Sequence, residues 1–317
     1  MYRLERRRTS KMNNKAHLLV FFMIITGICV FWGDEVLQYV PPQEQRSCSC
    51  DQCLFENETF PIQNLSRFPQ PLLSTNYNLS EEDFNSWKRL QPGGGSISVY
   101  REKVKKIFER IPANPPVEAP RPGRCRTCAL VGNSINLLGS HYGPLIDFQD
   151  YVIRINKGQT KGFEADVGNR TTHRVMYPNS ASQLDNTTHP VLFAFKIQDL
   201  QWIIKNLSTQ QSGQKSLFNK DLAMVLNPAF MRNIHDVWLK KKGYCPSTGF
   251  LALVLVLHIC DEVHVFGFGA DRNGNWSHYW ERLANRRLRT GRHPGNVEYK
   301  MIEELTRHNV IKFYKGW

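Results

Sequence analysis

Beyond its first fifteen residues the chain has no long basic run. Lys and Arg outnumber Asp and Glu by 41 to 28, for a net charge of +13 over 317 residues. Such an excess suits nucleic acid, a membrane surface or an acidic small substrate. Six of the basic side chains (Arg3, Arg6, Arg7, Arg8, Lys11 and Lys15) crowd the N-terminus against the single acid Glu5. The remaining excess is thinly spread, which argues against a nucleic-acid partner. There is no G-x-G-x-x-G, so no Rossmann fingerprint, and no H-E-x-x-H of a zinc hydrolase. There is no Asp-x-Asp pair of the kind many nucleotide-sugar transferases use to hold a divalent ion. No internal repeat or heptad pattern is present, which removes solenoids and coiled coils. With 41% apolar and 22% charged residues the composition is globular.

What is present begins with an address. Leu18 to Trp32 carries no charge. It is short against the ~20 apolar residues of a usual span. A cleaved signal peptide and a buried core helix compete with a membrane anchor here. No Ala-x-Ala cleavage site follows, and a core helix would not trail a basic cluster. The expectation is an uncleaved signal anchor: a cytosolic tail over 1–15, a transmembrane helix over 16–33, a luminal stem over 34–60 and a folded body over 61–317. A short span suits the thinner membranes of the early secretory pathway. Seven N-x-Ser/Thr sequons, at Asn57, Asn64, Asn78, Asn169, Asn186, Asn206 and Asn275, all lie after the anchor. Of the eight cysteines, Cys29 falls in the expected span. Cys48, Cys50, Cys53, Cys125, Cys128, Cys245 and Cys260 follow it, and an oxidising lumen would pair all but one. A zinc site from the Cys48–Cys53 cluster with Cys125-x-x-Cys128 is the alternative, which a luminal topology disfavours.

From Cys125 the pattern turns α/β. Strands are expected over 128–132, 151–156, 172–177, 191–195, 222–226, 262–269 and 310–314. Helices are expected over 80–90, where Ser80 and Asp83 form a capping box, and over 104–111 and 297–308. Ser247 to Cys260 is almost continuously apolar, and its length and Ser-Thr start favour a buried helix over a strand. Alternating strands and helices imply a mostly parallel sheet covered on both faces.

In such a sheet ligands bind beyond the carboxyl ends of the strands. Gly132-Asn133-Ser134, Asn156-Lys157 and Gly267-Phe268-Gly269 stand there. Ser247-Thr248-Gly249 opens the apolar helix, where unpaired backbone N–H groups and the dipole make an anion site. Each of these alone reads more readily as an ordinary turn or cap. His278-Tyr279-Trp280-Glu281 and His293-x4-Glu298 supply imidazoles able to act near neutral pH. A metal held by His278, His293 and Glu281 is a further reading of the same residues.

Four segments in order carry a resemblance. Cys128 to Gly168 (CALVGNSINLLGSHYGPLIDFQDYVIRINKGQTKGFEADVG) resembles the large sialyl motif of animal sialyltransferases. Asn227 to Val265 resembles their small motif, His278-Tyr279-Trp280-Glu281 their motif III, and His293-x4-Glu298 their very small motif. The HYWE form and the Cys48-x-Cys50-x-x-Cys53 cluster are most similar to the β-galactoside α-2,3-sialyltransferases of types 1 and 2.

The resemblance implies a type II Golgi enzyme with a variant of the GT-A fold, no metal and no cofactor beyond the donor, CMP-sialic acid. It implies inverting transfer of sialic acid to the 3-hydroxyl of a terminal galactose, as in Gal-beta-1-3GalNAc of O-glycans or glycolipids. His293 is placed as general base, and His278 as phosphate donor or acid. Asn133, Ser134, Asn156, Ser247, Thr248, Gly249 and Gly269 are placed around the donor, and Gln91, Tyr177 and Trp276 around the acceptor. Disulfides Cys48–Cys53, Cys50–Cys125 and Cys128–Cys260 are implied, leaving Cys245 free. A bridge between the Cys245 thiols of two chains would make a homodimer. Cys245 stands where types 1 and 2 usually carry Tyr before Pro-Ser-Thr-Gly, and Tyr244 precedes it. The segment 207–220 also lacks a tyrosine to match one that contacts the donor. A different acceptor such as Gal-beta-1-4GlcNAc, or a Golgi sugar-binding protein without catalysis, are the other readings.

Overall fold

The computed structural model describes residues 21, 23, 48–51, 53–54, 68–91, 93–115, 121–208, 216–281 and 290–317. The expected tail lies outside these residues, as does the anchor apart from Phe21 and Met23. Among the described residues no helix is long and apolar enough to cross a membrane.

Arg46–Trp317 is one compact unit. Its frame is a seven-stranded sheet of β1 (Thr127–Val131), β2 (Tyr151–Ile155), β3 (His173–Met176), β4 (His189–Leu192), β5 (Met224–Val225), β6 (Glu262–Phe266) and β7 (Lys312–Tyr314). The order is β5-β4-β3-β2-β1-β6-β7, and every neighbouring pair is parallel. The described helices are α1 (Glu81–Leu90), α2 (Ile97–Phe108), α3 (Gly143–Phe148), α4 (Glu164–Val167), α5 (Ile197–Ser208), α6 (Pro228–Asn233), α7 (Thr248–Ile259) and α8 (Gly295–Arg307).

The period of two along each strand sorts side chains into two cores. In β1, Cys128 and Leu130 face a large core built with α7, α1 and α6. Ala129 and Val131 face a smaller one with Ile146 of α3 and Val167 of α4. This double burial is why β1 reads as unbroken apolar sequence rather than as an alternating strand.

The apolar stretch after Ser247 is helical, as its length suggested. Ser247 caps α7 by accepting from Phe250 N. Every residue of the helix except Thr248 and His258 is buried. With no polar face to expose, α7 must lie wholly inside, against β1, β2, β3 and β6. The capping box at α1 is present, with Ser80 Oγ accepting from Asp83 N at 3.0 Å. Trp87 of α1 is buried and donates Nε1–H to Ala194 O at 2.7 Å, tying that helix to the segment after β4.

Five helix assignments differ from the sequence expectation, among them the short α3 and α4, which were not anticipated. The helix expected over 104–111 begins at Ile97, because Ser96 caps it by accepting from Val99 N. The glycines before Ser96 end one helix without delaying the next. Helix α5 was not anticipated, since the apolar run before it drew attention as a strand. Nor was α6, opened by Asn227 accepting from Ala229 N and followed by a π-helical turn, Ile234–Trp238.

The structure contains disulfides Cys48–Cys53, Cys50–Cys125 and Cys128–Cys260. Those sulfurs are therefore not available as zinc ligands. Cys245 is a buried free thiol. Sequons Asn78, Asn169 and Asn186 are exposed and Asn206 and Asn275 partly buried, while Asn57 and Asn64 lie outside the described residues.

Cys128–Cys260 joins β1 to the end of α7 across 132 residues. Closing so long a loop removes much freedom from the unfolded chain. Replacing both cysteines by Ala is expected to cost about 2–5 kcal/mol, measured by urea unfolding.

Candidate active site

The strand order reverses direction between β1 and β6, so the loops leaving their carboxyl ends part and open a crevice. A cavity of about 330 Å³ occupies it. Asn133, Ser134, Asn156, Ser247, Thr248, Gly249, Gly269, Trp276, His278 and His293 all line this one cavity. They come from six separate stretches of chain. Gln91 and Tyr177 do not line it.

Cross-links among the loops hold the shape. Ser134 Oγ donates to Gly269 O at 2.9 Å, and Ser134 N donates to Gly267 O at 3.0 Å. Ser134 also forms an isolated antiparallel bridge with His278. Asn156 has a positive φ of 47°, a conformation Asn tolerates better than most residues. Its Nδ2 donates to Thr248 Oγ1 at 3.2 Å and its Oδ1 accepts from Tyr177 N at 3.2 Å. Asn133 Oδ1 is buried without a hydrogen-bond partner. A buried acceptor left unmet is costly, so it suits a ligand that brings a donor. Gly269 needs its missing side chain for two reasons: its φ is +97°, and a Cβ would sit 2.4 Å from the Tyr299 ring.

The first turn of α7 presents Thr248 and Gly249 to the cavity. The leading N–H groups of a helix have no partner within it and carry partial positive charge, which favours an anion. The turn is anchored from α8. Glu298, buried, accepts Ser247 N at 2.7 Å on Oε1 and Ser247 Oγ at 2.6 Å on Oε2. Burial pushes the Glu298 carboxyl above the usual carboxylate range, against the pull of the two Ser247 bonds and of nearby His293.

The imidazoles are oriented separately. His293 Nδ1 lies 3.1 Å from Cys245 O, which can only accept. Neutral His293 therefore carries its proton on Nδ1 and keeps Nε2 as its basic nitrogen. The Cys245 thiol is 3.6 Å from the same Nδ1, and burial pushes that thiol up, so it stays protonated. His278 Nδ1 donates to Glu281 Oε2 at 3.0 Å, and its ring stacks on Trp280 at 4.7 Å. Tyr244 is exposed, lies against the Arg292 guanidinium at 4.9 Å and does not line the cavity. Among the described residues no three His, Cys, Asp or Glu side chains are grouped to hold a metal ion, so His278, His293 and Glu281 form no such set.

Sequence reasoning quoted Glu298 only as part of a motif and missed Lys196 and Asp199 altogether. These two pack around Gln91 and Tyr177. Lys196 Nζ lies 2.6 Å from Tyr177 Oη and 3.2 Å from Asp199 Oδ1. One lysine among 41 basic side chains carries no distinguishing signal in the sequence.

A parallel α/β sheet with this crevice, a helix start and two imidazoles around it is a site shaped for an anionic ligand and for proton transfer. The model of glycosyltransferase family 29 (sialyltransferase) matches residues 72–310. The chain belongs to that family. It is 41% identical over 283 residues to CMP-N-acetylneuraminate-beta-galactosamide-alpha-2,3-sialyltransferase 2 of Rattus norvegicus, covering 86% of this chain and 81% of the relative. It is 37% identical over 286 residues to the type 1 enzyme of Homo sapiens, covering 86% and 84%. A crystal structure of a mammalian sialyltransferase in complex with Gal-beta-1-3GalNAc-ortho-nitrophenol superposes with a TM-score of 0.72 at 36% identity, covering 85% of this chain and 100% of that one.

Glu298→Gln leaves one Ser247 donor facing an amide NH₂. CMP affinity by calorimetry is expected to fall about tenfold, as for one lost charge-assisted bond. A raised carboxyl favours folding below the ordinary carboxylate range, and that contribution is lost as pH rises through the raised value. Urea unfolding across acidic to neutral pH should therefore show a flatter profile for Glu298→Gln than for the parent chain.

Proposed function

We propose that this protein transfers sialic acid from CMP-sialic acid to the 3-hydroxyl of a terminal galactose, in Gal-beta-1-3GalNAc of glycoproteins or glycolipids. The observation that carries the reading is the convergence of two independently oriented imidazoles and a helix start on one cavity. The type 1 and type 2 relatives and the galactoside-bound crystal structure support the donor and the acceptor.

In this reading the acceptor oxygen attacks the anomeric carbon of sialic acid as the bond to the CMP phosphate oxygen breaks on the opposite face. The configuration inverts. Nε2 of His293 takes the hydroxyl proton. With Nδ1 of His278 held by Glu281, its Nε2 donates to the departing phosphate in the imidazolium form. Asn133 and Asn156 hold the nucleotide, and the Ser247-Thr248-Gly249 start of α7 meets the single phosphate charge, with no metal or other cofactor called on. Gln91, Tyr177 and Trp276 face the galactoside. The basic N-terminus and the apolar run after it anchor the chain as a single-pass type II protein of the Golgi membrane, with a GT-A-like body in the lumen.

Full-length protein, incubated with radiolabelled CMP-sialic acid and Gal-beta-1-3GalNAc, should yield an α-2,3-linked product. Labelled product with Gal-beta-1-4GlcNAc alone would move the acceptor assignment. CMP binding without transfer to any galactoside would leave a sugar-binding protein. His293→Ala should lower turnover about 10²–10⁴-fold while leaving CMP affinity unchanged, and full activity in that variant would remove the base.

A further inference from the structure

Lys196 lies just before α5, where the backbone N–H groups of Phe195 and Lys196 donate to Asp199 Oδ2 at 2.9 and 3.2 Å. The same carboxylate turns its other oxygen to the Lys196 ammonium at 3.2 Å. An ammonium has three hydrogens and no acceptor. Here three acceptors surround it: Tyr177 Oη at 2.6 Å, Asp199 Oδ1 at 3.2 Å and Gln91 Oε1 at 3.4 Å. The chain is shaped to permit this. A Cβ on Gly93 would meet Lys196 Cβ at 2.7 Å, and one on Gly95, whose φ is +119°, would meet Ile197 at 2.7 Å. The glycine loop after Gln91 thus sits directly on the start of α5.

The consequence falls on Gln91. A primary amide can turn over and exchange its oxygen for its NH₂ at little cost unless a neighbour decides between them. A cation decides: it attracts the carbonyl oxygen and repels the NH₂. Gln91 Nε2 is then left on the other side, 3.9 Å from Cys245 Sγ, whose residue also holds His293. Burial raises the Tyr177 phenol, so Tyr177 meets Lys196 as a neutral hydroxyl and leaves the positive charge to Asp199 and Gln91.

We propose that Lys196, held by Asp199, is a positioning residue for the acceptor: it fixes the Gln91 amide with Nε2 on the side of Cys245, the residue that holds His293, so that an N–H donor rather than a carbonyl oxygen is offered there to a hydroxyl oxygen of the galactoside. The inference rests on the sialyltransferase reading above. Lys196 touches neither donor nor acceptor itself and acts through Gln91.

The test is a double-mutant cycle on full-length protein, with initial rates at varied CMP-sialic acid and varied Gal-beta-1-3GalNAc. Lys196→Met should raise the acceptor KM about tenfold, the scale of one misdirected hydrogen bond, and leave the donor KM and CMP affinity within twofold. Lys196→Arg, which keeps the charge, should restore most of the loss. In a Gln91→Ala background, Lys196→Met should add little further, because the group it orients is gone. Independent, multiplying effects of the two substitutions would overturn the proposal, and so would an unchanged acceptor KM. A parallel loss of CMP affinity would show Lys196 to be only structural. If the parent chain transfers sialic acid to no galactoside, the functional reading fails first, which is a different outcome from an active parent with an insensitive Lys196→Met.

Discussion

The site is held together by one buried carboxylate. Glu298, on the last helix, accepts both the backbone N–H and the hydroxyl of Ser247, the residue that starts the central helix. Removing a carboxylate from water costs several kcal/mol unless its oxygens are met by strong donors. Ser247 meets both oxygens, and in return the helix start is fixed at the cavity wall. The same segment of chain carries His293, five residues earlier in sequence, so the position of the imidazole and that of the anion-binding turn are set by one anchor.

The surrounding electrostatics follow from the sheet. Two faces of β1 are consumed by two cores, which leaves chemistry only at the strand ends. Among the described strands, the reversal of order falls between β1 and β6, and there adjacent loops diverge. Polar groups gather there because the crevice is wet and open to ligands, whereas the same groups within the layers would be unpaired. The orphan acceptor on Asn133 belongs to this pattern, since a site built for a hydrogen-bonding ligand keeps part of its capacity unspent.

Much of this was readable from residues. The almost continuously apolar run before Cys260 favours a buried helix at that length, and Ser247 marks its start. The motifs ending in Asn133, Asn156 and Gly269 follow strands, where open sheets place their ligands. Reading failed where local pattern is ambiguous. Helix α2 starts earlier than its apolar spacing indicated, because a cap at Ser96 outweighs the glycines before it. Helix α5 follows so closely on a strand that the two apolar patterns run together, and with it Lys196 and Asp199 went unnoticed.

The sequence by itself determined which side chains could bind and react, because residue type and position after a strand or at a helix cap are local properties. It determined the layered α/β architecture through the spacing of apolar residues. Only the tertiary structure decided which nitrogen of His293 is basic, which way the Gln91 amide points and which carboxylate holds Ser247. Those depend on partners tens to more than a hundred residues away, and a hydrogen bond acts only over a few ångströms of space, a separation that no order of letters along the chain records.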